Sequence, residues 1–101
     1  MEDQFDSDDE FYSELGCSDC EVCGPSPEYV RAEVLSGGEV RVAVTYGCYS
    51  GEDFKGRPPE AAVWVREEWI NGGGASRFQR PDAFDELLAW LTERQKLAEA
   101  L

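Results

Sequence analysis

Histidine is absent from this chain of 101 residues. Without an imidazole, the chain cannot assemble the Ser-His or Cys-His pair on which many nucleophilic enzymes depend. Carboxylates are abundant, but no spacing between them singles out a general acid and a general base. The sequence therefore predicts a protein that is not an enzyme and that acts by binding.

Basic residues are scarce as well: nine Lys and Arg stand against 22 Asp and Glu, which gives a net charge of −13. Residues 1–23 contain nine acids and no base, whereas residues 24–101 hold all nine bases and the remaining acids. Direct binding to nucleic acid is disfavoured, because phosphate contacts need clustered Lys and Arg. A basic partner is favoured, since complementary fields speed association. The alternative is that the charge only keeps the protein in solution.

Long apolar stretches are also missing. No run approaches the roughly 20 apolar residues that a membrane-spanning helix needs. The acidic N-terminus lacks the apolar stretch of a signal peptide. We therefore expect a cytoplasmic protein with no membrane partner. In that compartment cysteines serve more often as thiols or metal ligands than as structural disulfides.

The four cysteines form one candidate metal site. Cys17, Cys20 and Cys23 are each separated by two residues, and Cys48 follows a predicted strand. If the intervening strands form a hairpin, Cys48 lies near the other three. Four thiolates suit tetrahedral zinc, so these four residues are the candidate ligands. Two alternatives stay open. The cysteines are thiols that bind no metal or that form an adventitious disulfide. Otherwise they form an iron–sulfur or redox site, because their spacing also resembles the start of a bacterial ferredoxin cluster motif.

The chain has the length of one small domain, and its composition changes near residue 27. Residues 1–27 form an acidic segment with the cysteine cluster, and residues 28–101 form the body. Residues 1–15 are compatible with a short helix or with disorder. Residues 16–28 are predicted as a loop, because their Gly-Pro-Ser-Pro sequence excludes a continuing helix or a central strand.

Alternation of apolar and polar residues predicts two strands, at residues 29–35 and 39–46, which a Ser-Gly-Gly turn joins into a hairpin with one buried face. Residues 47–60 are rich in Gly and Pro and are predicted as a loop. Residues 61–70 are predicted as a third strand and residues 75–79 as a short fourth strand. The Asn-Gly-Gly-Gly sequence between them is predicted as a turn.

The clearest element is an amphipathic helix at residues 81–98. Phe84, Leu87 and Leu91 recur on one helical face. We expect this helix to pack on the sheet. The predicted fold class is α+β, with a three- to four-stranded antiparallel sheet packed by one C-terminal amphipathic helix.

The three tryptophans have distinct expected positions. Trp69 is expected to pack beneath the C-terminal helix, with a partner-facing anchor as the alternative for both Trp64 and Trp69. Trp90 lies beside the apolar stripe of that helix. It is expected to cover the edge of the sheet or to contact the N-terminal segment.

In length and acidity the chain resembles small phage-encoded anti-defence proteins, the DNA-mimic class of anti-CRISPR and anti-restriction inhibitors. The resemblance implies an acidic binding protein whose carboxylates replace nucleic-acid phosphates and block a basic DNA-binding surface. It implies as target a basic protein or nucleoprotein complex, such as a CRISPR effector. The candidate contact residues are Asp3, Asp6, Asp8, Asp9, Glu10 and Glu14, with Glu52 and Asp53 in the predicted loop.

A second function remains open at the level of sequence. In this alternative the four cysteines hold zinc, and the chain is a small zinc-stabilised adaptor whose acidic segment docks on another basic protein. Purified protein without zinc at a near-stoichiometric level would exclude this alternative.

Overall fold

The computed structural model describes residues 10–22, 24–47 and 50–100. Four strands form one antiparallel sheet in the order β1-β2-β3-β4, and two helices follow them. The predicted α+β class, with its antiparallel sheet and C-terminal helix, is confirmed. The elements are β1 (Glu10–Cys20), β2 (Gly24–Val34), β3 (Val40–Thr45), β4 (Gly51–Gly56), α1 (Pro58–Val65), a π-helical turn (Arg66–Ile70), a 3-10 turn (Gly74–Arg77) and α2 (Asp82–Ala100).

The hairpin predicted in the middle of the sequence is present as β2 and β3. Val30 lies opposite Val44, and Val34 opposite Val40. The even-numbered side chains of the paired residues are buried, except that of Val34 at the end of β2, which is 38% exposed. Period-two alternation therefore placed the correct face of this hairpin in the core.

Strand β1 corrects the predicted structure of residues 10–20. Its residues were expected to form a helix, a disordered segment or a loop, yet they pair with β2 along its whole length. The division at residue 27 falls inside β2. Pro25 and Pro27 are tolerated because β3 pairs only with residues 29–34, so this end of β2 has a neighbour on one side alone.

Strand β4 lies within the interval predicted as a loop. Its sequence, Gly-Glu-Asp-Phe-Lys-Gly, has low intrinsic strand preference. Phe54 lies opposite Val42 of β3 and packs against the core. Backbone pairing with β3 and this one aromatic side chain compensate for the weak local preference.

The predicted third and fourth strands are wrong. Residues 58–65 form α1, residues 66–70 form the π-helical turn, and residues 74–77 form the 3-10 turn. The Asn-Gly-Gly-Gly turn between the last two is confirmed. The buried positions of this region recur with helical period. They are Pro58, Ala61, Ala62, Val65 and Trp69. Because small residues occupy part of this inward face, its apolar pattern is weak in the sequence.

Helix α2 begins at Asp82 and carries the predicted apolar face. Trp69 is 5% exposed and stacks on Phe84 of α2 with ring centroids 5.9 Å apart, which confirms its predicted position. The rings of Trp90 and of Phe11 in β1 have centroids 6.3 Å apart, so the expected contact of Trp90 with the N-terminal segment is also confirmed. Within the described part of the chain, no helix combines the length and apolar character needed to cross a membrane.

Both helices lie on the same face of the sheet. Helix α2 contacts β1 and β2, and α1 contacts β3 and β4. The buried core residues of the sheet all belong to this covered face. The opposite face carries no helix among the described residues.

Candidate functional site

The uncovered face of the sheet, called the open face below, presents three rows of side chains that cross all four strands. Strand pairing fixes which residues share a row. From β1 to β4, the first row is Glu10, Glu33, Arg41 and Lys55, the second is Tyr12, Arg31, Ala43 and Asp53, and the third is Glu14, Tyr29, Thr45 and Gly51.

Charges of opposite sign occupy opposite halves of the first row. Glu10 and Glu33 lie on β1 and β2, whereas Arg41 and Lys55 lie on β3 and β4. Arg41 also pairs with Asp53, with 3.3 Å between Nε and Oδ2. Both side chains are about half exposed, so this pair contributes little stability.

Strand β1 carries exposed carboxylates along its length, called the β1 carboxylates below. Glu10, Glu14 and Asp19 are all exposed and alternate toward the open face. Within residues 10–22, 24–47 and 50–100, no Lys or Arg lies within ion-pair distance of them. Glu10 lies directly opposite Glu33, an arrangement that costs stability. The strand thus fixes negative charge that the described residues do not neutralise.

A β-bulge anchors β1 between Glu14 and Gly16. The extra residue, Leu15, is fully buried, and its carbonyl accepts hydrogen bonds from the N–H groups of Gln79 (2.9 Å) and Arg80 (3.2 Å). These bonds satisfy a backbone group that would otherwise lie unpaired at the edge of the sheet. The bulge therefore fixes the position of the β1 carboxylates relative to the body.

Two tyrosines lie in contact on the open face, and Tyr29 also lines a shallow concavity. The rings of Tyr12 and Tyr29 lie 5.5 Å apart. A concavity of about 210 Å³ runs from Tyr29 past Arg31 toward Arg41 and Thr45. A surface with aromatic rings beside charges of both signs is suited to binding a protein.

The two predicted contact residues on β4 point in opposite directions. Asp53 lies on the open face, whereas Glu52 lies on the side of Val44. The Tyr46 hydroxyl donates a hydrogen bond to Glu52 at 3.1 Å, and the Arg77 guanidinium stacks over the Tyr46 ring at 4.9 Å. Burial raises the pKa of Tyr46, and the hydrogen bond to Glu52 and repulsion from this carboxylate raise it further. The positive charge of Arg77 acts in the opposite direction and lowers it.

The structure therefore brings only part of the predicted contact set together. Glu10, Glu14 and Asp53 share the open face, but β1 and β4 are its opposite edges, about 14 Å apart at the usual strand spacing. Glu52 does not belong to this face. The other predicted contacts, Asp3, Asp6, Asp8 and Asp9, lie outside the described residues.

The predicted zinc site is largely outside the described residues. Cys17 is exposed on β1 and lies opposite Pro27. The backbone of Cys20 ends β1, but its side chain, and all of Cys23 and Cys48, are not described. Among the described residues, no group of three or more Cys, Asp or Glu side chains is placed to hold a metal ion. The four-cysteine site stays a prediction.

Several residues of the open face were missed at the level of sequence. Arg31, Glu33 and Arg41 are the outward residues of the hairpin that the alternation predicts correctly. Pairing the two predicted strands across their turn would have placed Glu33 opposite Arg41. Tyr12 could not be found in this way, because β1 was not recognised as a strand.

Comparisons of the chain with models of protein families, with curated proteins and with solved structures found no match.

Proposed function

We propose that this protein is an acidic binding protein that acts as a nucleic-acid mimic and occupies the basic DNA-binding surface of a partner. The observation that supports this most directly is the exposure of the β1 carboxylates, which the described residues leave unneutralised. Five further acids precede the strand within residues 1–9, so the run of negative charge continues in the sequence.

The geometry of a strand suits such mimicry. A β-strand rises about 3.4 Å per residue, which is close to the rise per nucleotide along one DNA strand. Glu10 and Glu14, four residues apart on the same face, are therefore separated by about the axial length of four nucleotides. Because the sheet holds these carboxylates in place before binding, less conformational entropy is lost on association.

The mimic surface is confined to the β1 side of the sheet. Arg31, Arg41 and Lys55 stand on the remaining open face and would repel a basic groove. The preferred target is therefore a narrow basic groove, and a CRISPR effector or restriction complex is the specific target we propose, from the resemblance in size and charge to anti-defence proteins.

The proposal can be tested by capture followed by competition. Immobilised parent protein is used to capture proteins from the native host, and the captured protein is tested for binding to double-stranded DNA. We expect the parent to displace that DNA, and a Glu10→Gln/Glu14→Gln variant to need roughly tenfold more protein for the same displacement. A second variant with amides at Asp3, Asp6, Asp8 and Asp9 tests the preceding segment.

Glu67→Gln/Glu93→Gln is the matched control, because it removes the same charge at exposed helical positions away from the open face. It should displace DNA as well as the parent does. If the captured protein still binds DNA fully in the presence of the parent, the mimic function is wrong. If both amide variants displace DNA as well as the parent does, neither β1 nor the segment before it is the surface that competes with DNA.

A further inference from the structure

We propose that the open face is also self-complementary and that two copies of this chain pair face to face through it. The pairing has a two-fold axis that lies parallel to the strands and midway between β2 and β3. About this axis β1 of one copy faces β4 of the other, and β2 faces β3. This inference goes beyond the proposed function and does not depend on it.

The first row carries the charge complementarity. About the proposed axis, Glu10 faces Lys55 of the second copy, and Glu33 faces Arg41 of the second copy. Symmetry repeats both pairs, so the row contributes four contacts between opposite charges. The separation of acids and bases into opposite halves of this row is what makes it complementary to itself.

The second and third rows are compatible with the same axis. Tyr12 faces Asp53 of the second copy, which offers a hydrogen bond of the kind that Tyr46 makes to Glu52 within the chain. In the remaining positions small or neutral side chains face the larger ones, so that no two like charges oppose each other in any row.

The other two-fold axis in the plane of the sheet, perpendicular to the strands, lacks this complementarity. It would set Arg31 against Arg31 and Asp53 against Asp53, and would bring Glu10 close to Glu14 of the second copy. Like charges in contact across an interface strongly oppose association. The charge pattern therefore selects one orientation of the second copy.

The size of the face indicates a weak dimer. Four strands span only about 14 Å between their outer members, so each copy buries less than the roughly 800 Å² per partner of a standard interface. The net charge of −13 on each copy opposes association at long range. This repulsion is screened beyond about 8 Å at physiological ionic strength. The long charged side chains can bridge the angle of about 30° at which aligned sheets pack.

Dimerisation and the binding of a basic partner would exclude each other. Glu10 and Glu14 belong to both surfaces. A protein that dimerises through the open face would thus cover some of its β1 carboxylates until a basic partner that binds more tightly displaces the second copy.

Sedimentation equilibrium of the full chain under reducing conditions, at physiological ionic strength and increasing concentration, tests the inference. Reduction prevents disulfide links through Cys17. We expect a reversible dimer, and a loss of about tenfold or more in its affinity for Glu10→Lys and for Lys55→Glu. Both residues are exposed on edge strands, so both variants should fold, as circular dichroism would check.

The mixture of the two variants gives the sharpest result. In a heterodimer of Glu10→Lys with Lys55→Glu, every first-row contact again joins opposite charges, so the mixture should associate more tightly than either variant alone. Glu93→Lys and Lys96→Glu, which change charge equally on α2, should dimerise like the parent. A monomeric parent at all concentrations, or a mixture that associates no better than its components, would overturn the inference.

Discussion

At the scale of single residues, a glycine and a tryptophan determine how the chain leaves the π-helical turn. A Cβ atom at Gly74 would lie 2.6 Å from Cε3 of Trp69. Trp69 cannot move aside easily, because its ring stacks on Phe84 and makes tilted contacts with Tyr46 and Phe78. The absence of a side chain at this position is thus a requirement of the aromatic core.

Gly74→Ala should therefore destabilise the protein by about 1–3 kcal/mol, as is usual for overpacking. Chemical denaturation of a double-mutant cycle with Trp69→Phe measures the contact, because phenylalanine lacks the ring atom that the new methyl group would meet. Trp69→Phe will itself cost stability, but Gly74→Ala should cost less in that background than in the parent. Equal costs in both backgrounds would show that another contact is responsible.

Tyr46 gives a residue-scale prediction for alkaline pH. Burial, and then a hydrogen bond to Glu52 and repulsion from it, raise the pKa of Tyr46. The folded state holds the phenol proton of Tyr46 more tightly than the unfolded state does. The resulting contribution to stability is therefore present below the ordinary pKa of about 10 and is lost as pH rises through the raised pKa. Glu52→Gln should lower the pKa of Tyr46 toward its ordinary value, measured by tyrosinate absorbance against a Tyr46→Phe background. An unchanged titration would contradict the contact.

At the scale of elements, β1 is the strand on which the proposed function depends most. A loose acidic tail would leave Leu15 in solvent, whereas the bulge buries it completely. The difference matters because only an ordered strand presents carboxylates at a fixed spacing.

Leu15→Ala should lower the free energy of unfolding by about 2–5 kcal/mol, as for other fully buried leucines. Val22→Ala is the control at the tip of the same hairpin, where Val22 is 92% exposed, and it should change stability little. Denaturant unfolding of both variants measures the difference. A Leu15→Ala variant as stable as the parent would mean that β1 is not part of the cooperative unit.

Helix α1 can be distinguished from the strand that the sequence predicts by one substitution. Val63 is 50% exposed on α1, whereas in a strand it would share a face with Val65, which is fully buried. Val63→Ala should then leave stability unchanged or raise it by up to about 0.5 kcal/mol, because Ala has the higher helix propensity. Thermal unfolding would show a clear loss instead if Val63 were buried in a sheet.

Local pattern explains which elements could be predicted. The β2–β3 hairpin and α2 carry complete apolar periodicities, with Val40, Val42 and Val44 on one strand face and Phe84 and Leu87 on one helix face. Strand β4 offers one apolar side chain, and α1 buries small residues that weaken its pattern. Their structures depend on backbone pairing and packing that a local pattern does not contain.

At the scale of the whole molecule, unbalanced negative charge opposes the compact state. The chain carries a net charge of −13, and Glu10 and Glu33 lie directly opposite each other. Screening should reduce this repulsion, because the Debye length falls from about 30 Å at 0.01 M salt to about 8 Å at 0.15 M.

The melting temperature should therefore rise by a few degrees, on the order of 1 kcal/mol, over that salt range. Glu10→Gln/Glu14→Gln should melt higher than the parent at low salt and rise less with added salt. Differential scanning calorimetry at both salt concentrations measures both effects. A melting temperature that falls with salt would show that attractive ion pairs outweigh the repulsion.

The sequence by itself determined the charge asymmetry, the α+β class, the central hairpin and the C-terminal helix, because composition and complete periodicities are local properties. The tertiary structure alone decided that residues 10–20 form a strand, since an acidic strand with few apolar residues needs β2 beside it and Leu15 in the core. It also decided which carboxylates share a face. Asp53 and Glu52 are neighbours in sequence, but pairing with β3 turns them to opposite sides of the sheet.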